Sequence, residues 1–397
     1  MSLNETVSAE RVHVGFFGMR NAGKSSLVNA ITGVNVSVVS DVKGTTTDPV
    51  KKAMELLPLG PVLIIDTPGI DDEGTLGEMR VERTKKTLRE TDIAVLVIDA
   101  ATGMTSEVKE LEQSIKKRGI PCLKIYNKAD LLKDDERTAD DAIYASAKNG
   151  EGIEKIKTEL GKFAESVKKT RPIISDIISH GDTVILVTPI DEAAPKGRII
   201  LPQQLVLRDL LDTHAVAIVC QPEELAATVS LLRSPPKLVI TDSQVFGRVA
   251  KDIPNDIPLT SFSIIMARYK GELAALTEGF EALKGIKSGD KILISEGCTH
   301  HRQCGDIGSV KLPAWIKEYT GAVPEFHFTS GKDFPDDLGN YKLIVHCGGC
   351  MLNEAEMKHR LAVAKAAGVP TVNYGIAIAG IKGILERSLR PFSEGEK

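Results

Sequence analysis

The sequence predicts an α/β protein made of three successive segments, each with a mainly parallel sheet. Short apolar runs of strand length alternate with helix-length amphipathic patterns along the chain, and this alternation is typical of βαβ units. A basic stretch ending in proline, residues 168–172, separates the first segment from the second. The length of 397 residues is enough for two or three domains.

Composition and charge exclude several classes of function. The chain is 42% hydrophobic and 26% charged with a net charge of −4, which is ordinary for a soluble globular protein. A chain with this charge balance has no overall positive electrostatic field that would attract nucleic acid or anionic lipid. Residues 1–11 are too polar for a signal peptide, and no apolar stretch reaches the roughly 18 residues of a membrane span. We therefore expect a cytoplasmic protein with no membrane and no nucleic-acid partner.

In the first segment, residues 8–170, four apolar runs predict strands and four amphipathic stretches predict helices. The predicted strands are Val12–Phe17, Val62–Ile65, Ile93–Ile98 and Cys122–Tyr126. The predicted helices are Ser25–Ile31, Glu78–Glu90, Ser106–Arg118 and Ile153–Val167. Their alternation predicts one mainly parallel sheet for this segment.

A phosphate-binding string joins the first predicted strand to the first predicted helix. Residues 18–25 read Gly-Met-Arg-Asn-Ala-Gly-Lys-Ser, which fits G-x-x-x-x-G-K-S in the context that this motif requires. The glycines let backbone N–H groups surround phosphate oxygens, and the helix N-terminus adds a positive dipole. Lys24 would reach the β- and γ-phosphates, and Ser25 would bind magnesium. The predicted nucleotide-binding residues of this loop are Gly18, Asn21, Ala22, Gly23, Lys24, Ser25 and Ser26.

Two further strings suit the magnesium and the γ-phosphate. Asp66-Thr67-Pro68-Gly69 ends the second predicted strand, so Asp66 can hold magnesium through water and the Gly69 N–H can sense the γ-phosphate. Residues 44–48 read Gly-Thr-Thr-Thr-Asp, where a switch threonine belongs. We assign Thr46 to magnesium, with Thr45 and Thr47 as alternatives. The predicted catalytic residues are Lys24, Thr46, Asp66 and Gly69.

The base-binding strings indicate guanine. Asn127-Lys128-Ala129-Asp130 follows the fourth predicted strand, and the Asp130 carboxylate suits the N1–H and N2–H₂ donors of guanine. Adenine would leave that carboxylate unpaired. Ser146-Ala147-Lys148 can donate a backbone N–H to guanine O6. Together these strings predict a P-loop GTPase domain that binds GTP with Mg²⁺.

The motif set resembles the translation-factor-related GTPases, and most of all the branch that contains the tRNA-modification GTPase TrmE and the ribosome-assembly GTPase Era. In that branch the position of Asn21 helps to hold a potassium ion beside the phosphates, so the resemblance implies hydrolysis stimulated by K⁺. Ile70 stands where Ras-type enzymes place a water-orienting glutamine. Because an aliphatic side chain cannot orient water, we expect slow intrinsic hydrolysis, with Glu78 as a candidate to orient the water instead.

The second segment, residues 173–268, and the third, residues 269–397, repeat the alternation. A long helical pattern, Ile264–Leu283, runs between them. The predicted strands are Val184–Val187, Val216–Val219, Leu238–Ile240, Leu259–Phe262, Lys291–Ile294, Leu343–Val345 and Thr371–Asn373. The predicted helices of the second segment are Gln203–Leu211, Glu223–Leu232 and Gln244–Asp252.

Cysteines and histidines crowd the third segment directly after two of its predicted strands. Residues 298–304 read Cys-Thr-His-His-Arg-Gln-Cys, and residues 346–350 read His-Cys-Gly-Gly-Cys. In a cytosolic chain this pattern is typical of metal binding rather than disulfides. Loops at the carboxyl ends of neighbouring parallel strands converge, so the two motifs meet if their strands are neighbours. A helix predicted from Asn353 to Ala367 would favour nearby thiolates at its N-terminus.

The residues alone leave three interpretations of this constellation open. A structural zinc could use Cys298, Cys347, Cys350 and one histidine. An iron–sulfur cluster could use the same three cysteines and leave one iron to a histidine, Cys304, an outside group or water. Reduced buried cysteines beside surface histidines are the third interpretation.

The combination of a TrmE-like GTPase segment with C-x-H and H-C-x-x-C resembles the HydF family, the maturation GTPases of iron-only (FeFe) hydrogenases, along the whole chain. The resemblance implies a 4Fe–4S cluster on Cys298, Cys347 and Cys350, with His300 and His346 as possible ligands. It implies that residues 173–268 mediate dimerisation and residues 269–397 bind the cluster. The implied function is a scaffold that holds a di-iron precursor, built with two radical-SAM maturases, and delivers it to apo-hydrogenase.

The principal alternative is a TrmE- or Era-like GTPase that acts on RNA or regulates a partner and carries a structural zinc. The acidic balance and the lack of a basic, aromatic-bearing face in the sequence argue against RNA binding. The identity of the metal would separate a regulatory GTPase from the cluster scaffold.

Overall fold

The structure, a computed structural model, describes residues 8–33, 49–69, 75–137, 142–167, 171–190, 199–271, 273–298 and 306–393, without the side chains of residues 75–81, 134, 164 and 165. The chain divides into two compact units, Met1–Lys169 and Thr170–Lys397. Within the described ranges, every helix is too short or too polar to cross a bilayer.

The first unit contains one sheet with helices on both faces. Its described strands are β1 (Val12–Gly18), β2 (Val50–Leu56), β3 (Gly60–Asp66), β4 (Ile93–Asp99), β5 (Cys122–Asn127) and β6 (Ile143–Tyr144). Its described helices are α1 (Lys24–Thr32), α2 (Thr75–Arg89), α3 (Ser106–Lys117), α4 (Ile153–Lys162) and α5 (Ala164–Val167). The strand order is β2-β3-β1-β4-β5-β6. Strand β2 runs antiparallel to β3, and the other described pairs are parallel.

The apolar strands of this sheet are buried on both faces. In β4, Val95 and Val97 belong to one buried cluster, while Leu96 and Ile98 belong to another, because successive side chains of a strand point to opposite faces. The four predicted strands are confirmed. Strand β2 was not predicted, because it lies at the edge of the sheet and its sequence contains two successive lysines rather than an apolar run.

The second unit contains two parallel sheets. Its described strands are β7 (Thr183–Val187), β8 (Val216–Cys220), β9 (Leu238–Thr241), β10 (Leu259–Ser261), β11 (Lys291–Ser295), β12 (Glu325–Thr329), β13 (Leu343–His346) and β14 (Thr371–Asn373). One sheet has the order β10-β9-β7-β8 and the other β12-β11-β13-β14. All described strand pairs in both sheets are parallel, so the predicted α/β class with mainly parallel sheets is confirmed.

The structure adds three helices that were not predicted, Leu312–Thr320, Tyr374–Ile381 and Leu385–Ser393, and it divides one that was. The predicted single helix over Ile264–Leu283 is wrong, because two helices meet at Gly271, whose backbone is extended. Glycine is a poor helix former, which makes this position the natural break. The described helices are α6 (Leu201–Asp212), α7 (Leu225–Leu231), α8 (Phe246–Asp252), α9 (Phe262–Lys270), α10 (Leu273–Lys284), α11 (Leu312–Thr320), α12 (Glu354–Ala366), α13 (Tyr374–Ile381) and α14 (Leu385–Ser393).

The two sheets of the second unit share a hydrophobic core. Phe246 and Leu259 beside the first sheet belong to the same buried cluster as Ile294 and Val345 of the second sheet. The buried Arg387 of α14 donates hydrogen bonds to the carbonyls of Ala250, Pro254 and Ile257. The C-terminal helix therefore holds the loop that precedes β10, and the second unit is one compact body.

Candidate nucleotide and metal sites

The P-loop follows β1 and adopts a conformation that its residue types permit. Gly18, Asn21 and Gly23 have positive φ values of 148°, 59° and 88°, a region that favours glycine and, among other residues, asparagine. A Cβ atom at Gly18 would lie 2.1 Å from the carbonyl oxygen of Val97. The glycines of the predicted motif are therefore required by the geometry of the loop.

Two of the predicted magnesium residues, Ser25 and Asp66, lie together near the carboxyl ends of β1 and β3. Ser25 Oγ donates a hydrogen bond to Asp66 Oδ2 at 2.6 Å. The buried Lys24 donates from Nζ to the carbonyls of Gly18 and Met19 at 3.0 and 2.8 Å. Gly69 packs against the P-loop so closely that a Cβ atom there would lie 2.6 Å from the Arg20 nitrogen. A hydroxyl, a carboxylate and an ammonium are thus held around the P-loop.

The base-binding strings also converge. Asn127 donates from Nδ2 to the Ala22 carbonyl at 2.9 Å and accepts at Oδ1 from the Ala147 amide at 3.2 Å. It thereby links the P-loop to the Ser146–Lys148 string. Ser146 Oγ donates to Asp130 Oδ1 at 2.7 Å, which orients the carboxylate that guanine would meet.

An ion pair that we did not predict supports this loop. Lys128 has a positive φ of 64° and pairs from Nζ with Asp99 Oδ2 at 2.6 Å. Asp99 is the last residue of β4, next to β5 in the sheet. The position of an acidic residue at the end of a neighbouring strand was the signal that could have predicted the pair.

Several predicted residues lie outside the described part of the structure. They include the switch threonines and the residue after the Asp-Thr-Pro-Gly string; for Glu78, only the backbone of α2 is described. The residues not described are Thr45, Thr46, Thr47, Ile70, His300, His301 and Cys304.

The two cysteine motifs follow adjacent parallel strands. In the register of β11 and β13, Ser295 pairs with His346, so Cys298 and Cys347 follow at the same edge. The Gly297 amide donates a hydrogen bond to Cys347 Sγ at 3.0 Å, and the Gly349 amide donates to the same sulfur at 3.3 Å. The expected meeting of the two loops is confirmed.

The thiols of the second motif are half-buried, and their surroundings raise both pKa values above the ordinary range of a cysteine. Burial and the neighbouring Cys350 raise the pKa of Cys347 to about 11, against the two amide hydrogen bonds. Burial likewise raises the pKa of Cys350, while the Lys270 charge and the amides of Cys350 and Met351 act in the opposite direction. Metal binding at these sulfurs therefore has to displace protons.

His346 has hydrogen-bond partners at both ring nitrogens. Nδ1 donates to the Cys347 carbonyl at 2.9 Å, and Nε2 accepts from Arg360 Nη1 at 3.2 Å. Burial and the Arg360 charge lower the pKa of His346 to about 3. The imidazole is therefore neutral, with its proton on Nδ1.

Arg360, which sequence reasoning missed, connects the loops around the cysteines. Its guanidinium is 1% exposed and donates to Glu356 Oε1 at 2.8 Å and to the Gly331 carbonyl at 2.7 Å. The Gly331 amide in turn donates to the Cys298 carbonyl at 3.2 Å. The spacing of Glu356 and Arg360, one turn apart on α12, was the readable signal.

The described side chains do not form a complete metal site as they stand. Across the described ranges, no three His, Cys, Asp or Glu side chains lie close enough together to hold a metal ion. The donor chemistry nevertheless fits an iron–sulfur cluster, because amide N–H groups directed at cysteine sulfurs are a feature that tunes such clusters.

Three family profiles match successive parts of the chain. Residues 13–128 match the family described as 50S ribosome-binding GTPase. Residues 173–271 match the hydrogen maturase F dimerization domain, and residues 274–391 match the hydrogen maturase F tetramerization domain. The two hydrogen maturase F profiles together match more than half of the chain.

Curated relatives match mainly the first unit. The chain is 35% identical over 160 residues to the tRNA modification GTPase MnmE of Nitrosomonas europaea, which covers 39% of this chain and 35% of the relative. It is 28% identical over 220 residues to GTPase Der of Kosmotoga olearia, covering 50% of this chain and 49% of that one. The chain thus spans about a third to a half of the length of these relatives.

Among solved structures, the chain is similar to Era of Aquifex aeolicus bound to GDP and AlF₄⁻. The match has 20% identity and a TM-score of 0.36, and it covers 53% of this chain and 93% of that chain.

Proposed function

Because the chain belongs to the hydrogen maturase F family, we propose that it is a GTP-hydrolysing scaffold that holds a 4Fe–4S cluster and a di-iron precursor. It delivers the precursor to apo FeFe-hydrogenase in the cytoplasm, in partnership with two radical-SAM maturases. The observation that carries the proposal is the contact between the cysteine loops, in which the amide beside Cys298 donates to the sulfur of Cys347.

The first unit supplies GTP hydrolysis. Ser25 and Asp66, joined at 2.6 Å, are set to bind Mg²⁺ between them, and Lys24 is set to meet the β- and γ-phosphates. Thr46 completes the magnesium site. Asn21 is exposed at the rim of the P-loop, where its side chain can help to bind K⁺. Hydrolysis is slow, because Ile70 cannot orient the attacking water.

The cysteine loops supply the cluster site. Cys298, Cys347 and Cys350 hold three of the four irons, and the fourth iron keeps an exchangeable position, with His300 as a candidate ligand. When bound, such a cluster supplies a site at which an outside ligand can be taken up and released. His346 has its two ring nitrogens engaged by Cys347 and Arg360, which favours a supporting role over ligation.

Residues 173–268 form the dimerisation domain and residues 269–397 the cluster domain. The best described candidate for a dimer surface is the edge strand β8, where Val216 and Val219 are 51% and 49% exposed. An apolar strand with an unpaired edge readily adds a second strand. Pairing of β8 with a second copy would cover both valines and extend the sheet.

The test is metal and sulfide analysis with EPR on protein purified and reconstituted without oxygen. The wild type is compared with a Cys298→Ser/Cys347→Ser/Cys350→Ser variant and with a matched Cys122→Ser/Cys220→Ser control, which removes two thiols elsewhere in the chain. About four irons and four sulfides per chain are expected in the wild type and the control, and none in the triple variant.

Stoichiometric zinc with no cluster after reconstitution would overturn the scaffold function and leave the regulatory GTPase. If the cluster forms, delivery of the di-iron precursor is tested next. Protein loaded with the precursor is mixed with apo-hydrogenase, and hydrogen evolution is measured. Activation that requires the three cysteines is the expected result.

A further inference from the structure

Helix α9 belongs to the segment that precedes the cysteine motifs, yet one of its faces lines the second motif. A Cβ atom at Gly348 would lie 3.5 Å from Ser263 Oγ and 3.7 Å from Met266 Cβ. Lys270 follows one helical turn after Met266, and residues at this spacing share a face. The loop Gly348–Leu352 is therefore packed against three successive turns of α9.

The last of these residues is a buried cation. The side chain of Lys270 is among the largest that are fully buried, at 1% exposure. Its Nζ donates to the carbonyls of Leu352, Cys350 and Gly349 at 2.8, 3.1 and 3.5 Å. An ammonium has three donors, so Lys270 is able to bind all three of these carbonyls of the cysteine loop.

Two of the peptide groups bound by Lys270 also carry amides beside Cys350. The carbonyls of Gly349 and Cys350 belong to the same peptide planes as the amides of Cys350 and Met351. Burial raises the pKa of Cys350, while the Lys270 charge and these two amides lower it. Since a charge that binds a carbonyl polarises the whole peptide group, Lys270 makes both amides stronger donors.

The backbone conformation of the loop makes this arrangement possible. Gly349 has a φ of +61°, and a Cβ atom there would lie 2.7 Å from Met357 Sδ. Successive residues of alternating hand direct their amides to one side and form an anion-binding concavity. The loop thus directs the Gly349 amide at the Cys347 sulfur and three carbonyls at Lys270.

We propose that Lys270 is a positioning residue that polarises the Cys350 half of the cysteine loop and fixes the charge and affinity of the metal site. The proposal rests on the proposed function in that the three cysteines hold a metal centre. It adds a residue that acts on that centre from α9, a helix within the range 173–271 that matches the hydrogen maturase F dimerization domain.

The first test uses cobalt binding to the metal-free protein under reducing conditions, followed by the thiolate-to-cobalt charge-transfer band. We compare wild type with Lys270→Met, Lys270→Gln and Lys270→Arg. The matched control is Lys284→Met, which removes an exposed lysine from the same unit. Loss of a supporting group around metal ligands weakens binding by about 10- to 100-fold, so this loss is expected in Lys270→Met and Lys270→Gln. Lys270→Arg and the control are expected to stay near wild type.

The second test is the midpoint potential of the reconstituted cluster. Removing a positive charge beside the thiolates favours the oxidised cluster, so the potential of Lys270→Gln shifts to more negative values, and Lys270→Arg restores it. Lys270→Gln retains a hydrogen-bond donor to the loop, so it remains informative if Lys270→Met does not fold.

The outcomes separate this proposal from the proposed function. Cobalt affinity within twofold of wild type in a folded Lys270→Gln would overturn the role of Lys270, whatever the cluster does. A wild type that binds cobalt but assembles no cluster would overturn the scaffold function, and the cobalt series would still decide the role of Lys270.

Discussion

Arg360 donates a hydrogen bond from Nη1 to His346 Nε2 at 3.2 Å inside the second unit. Because arginine is always a donor, this contact assigns the neutral tautomer of His346 with its proton on Nδ1. Nδ1 in turn donates to the carbonyl of Cys347. A residue on α12 therefore fixes the backbone of the cysteine motif through an imidazole.

The first prediction concerns the pH dependence of stability. His346 has a pKa of about 3 in the folded protein and an ordinary value of 6.5. Between these values the unfolded state binds a proton that the folded state does not, so acidification destabilises the fold. The neutral His346 therefore costs no stability above pH 6.5, and the free energy of unfolding falls as the pH drops toward 3. The fall is about 1.4 kcal/mol per pH unit.

The measurement is chemical denaturation of the metal-free protein across this pH range. His346→Gln is expected to flatten the slope, whereas His180→Gln, which changes an exposed histidine of the same unit, is expected to retain it. If the free energy of unfolding of His346→Gln depended on pH as steeply as that of the wild type, His346 would not be the cause of the pH dependence.

The second prediction concerns Arg360→Met. Loss of one partner of a buried ion pair costs about 3–5 kcal/mol, and this variant leaves Glu356 buried without its cation. Thermal or chemical unfolding of the second unit measures the cost.

The matched control is Lys358→Met on the same helix. Lys358 pairs with Glu354 at 2.6 Å but is 63% exposed, so its loss is expected to cost less than about 1 kcal/mol. Equal effects of the two variants would show that the Arg360 network contributes no more than a surface pair.

The third prediction concerns protons released by metal binding. Because Cys347 has a pKa of about 11 and the pKa of Cys350 is also raised, each thiol loses a proton when it binds a metal. Cobalt affinity is expected to rise with pH by up to about 100-fold per unit for these two thiols, since each proton contributes up to tenfold. Titration with cobalt at several pH values in weak buffer, with proton release measured directly, gives the number of protons released per metal ion bound. A pH-independent affinity would show that the thiols are already ionised.

The fourth prediction concerns the base. Asp130→Asn replaces an acceptor of the guanine amino group with an amide that can donate to a carbonyl at C2. Xanthine carries that carbonyl. The variant is therefore expected to bind GTP more weakly and XTP more tightly, so that the ratio of the two affinities changes by several orders of magnitude. Competition with a fluorescent nucleotide measures the switch. If the variant still preferred GTP, Asp130 would not be the residue that recognises the guanine base.

The fifth prediction concerns oligomers. Val216→Lys/Val219→Lys places two charges on the exposed edge strand β8 and is expected to convert dimers into monomers, because charge blocks strand pairing. Light scattering after size-exclusion chromatography measures the mass. Val323→Lys, at another exposed apolar position, is the control. Dimers that survive the double change would exclude β8 as the interface.

Four of the six described strands of the first unit could be predicted because they are largely apolar runs in the interior of the sheet, whereas β2 and β6 lie at its edges. Strand β12 could not be predicted, since it lies at the edge of its sheet and none of its residues is fully buried; Phe328 is 37% exposed. The meeting of the cysteine motifs could be predicted from the rule that parallel strands end at one edge, and the pairing of Ser295 with His346 confirms it.

The groups that surround the cysteines were harder to predict. Lys270 lies about 80 residues before Cys350, and its contacts depend on how α9 packs on the loop. Nothing in the local sequence distinguishes it from an exposed lysine at the end of a helix. Arg360 reaches His346 across a core that only the three-dimensional fold defines.

The shared core of the second unit determines where the chain can be cut and which of its parts move together. The two matched hydrogen maturase F domains are not separable modules, because Arg387 and the apolar cluster join them. A chain cut after residue 271 would expose the apolar side chains of α9, such as Ile264 and Ile265, that this core covers. Because Ile218 of β8 and Cys347 both pack against the same core, a second copy that displaced β8 would also displace the loop of Cys347.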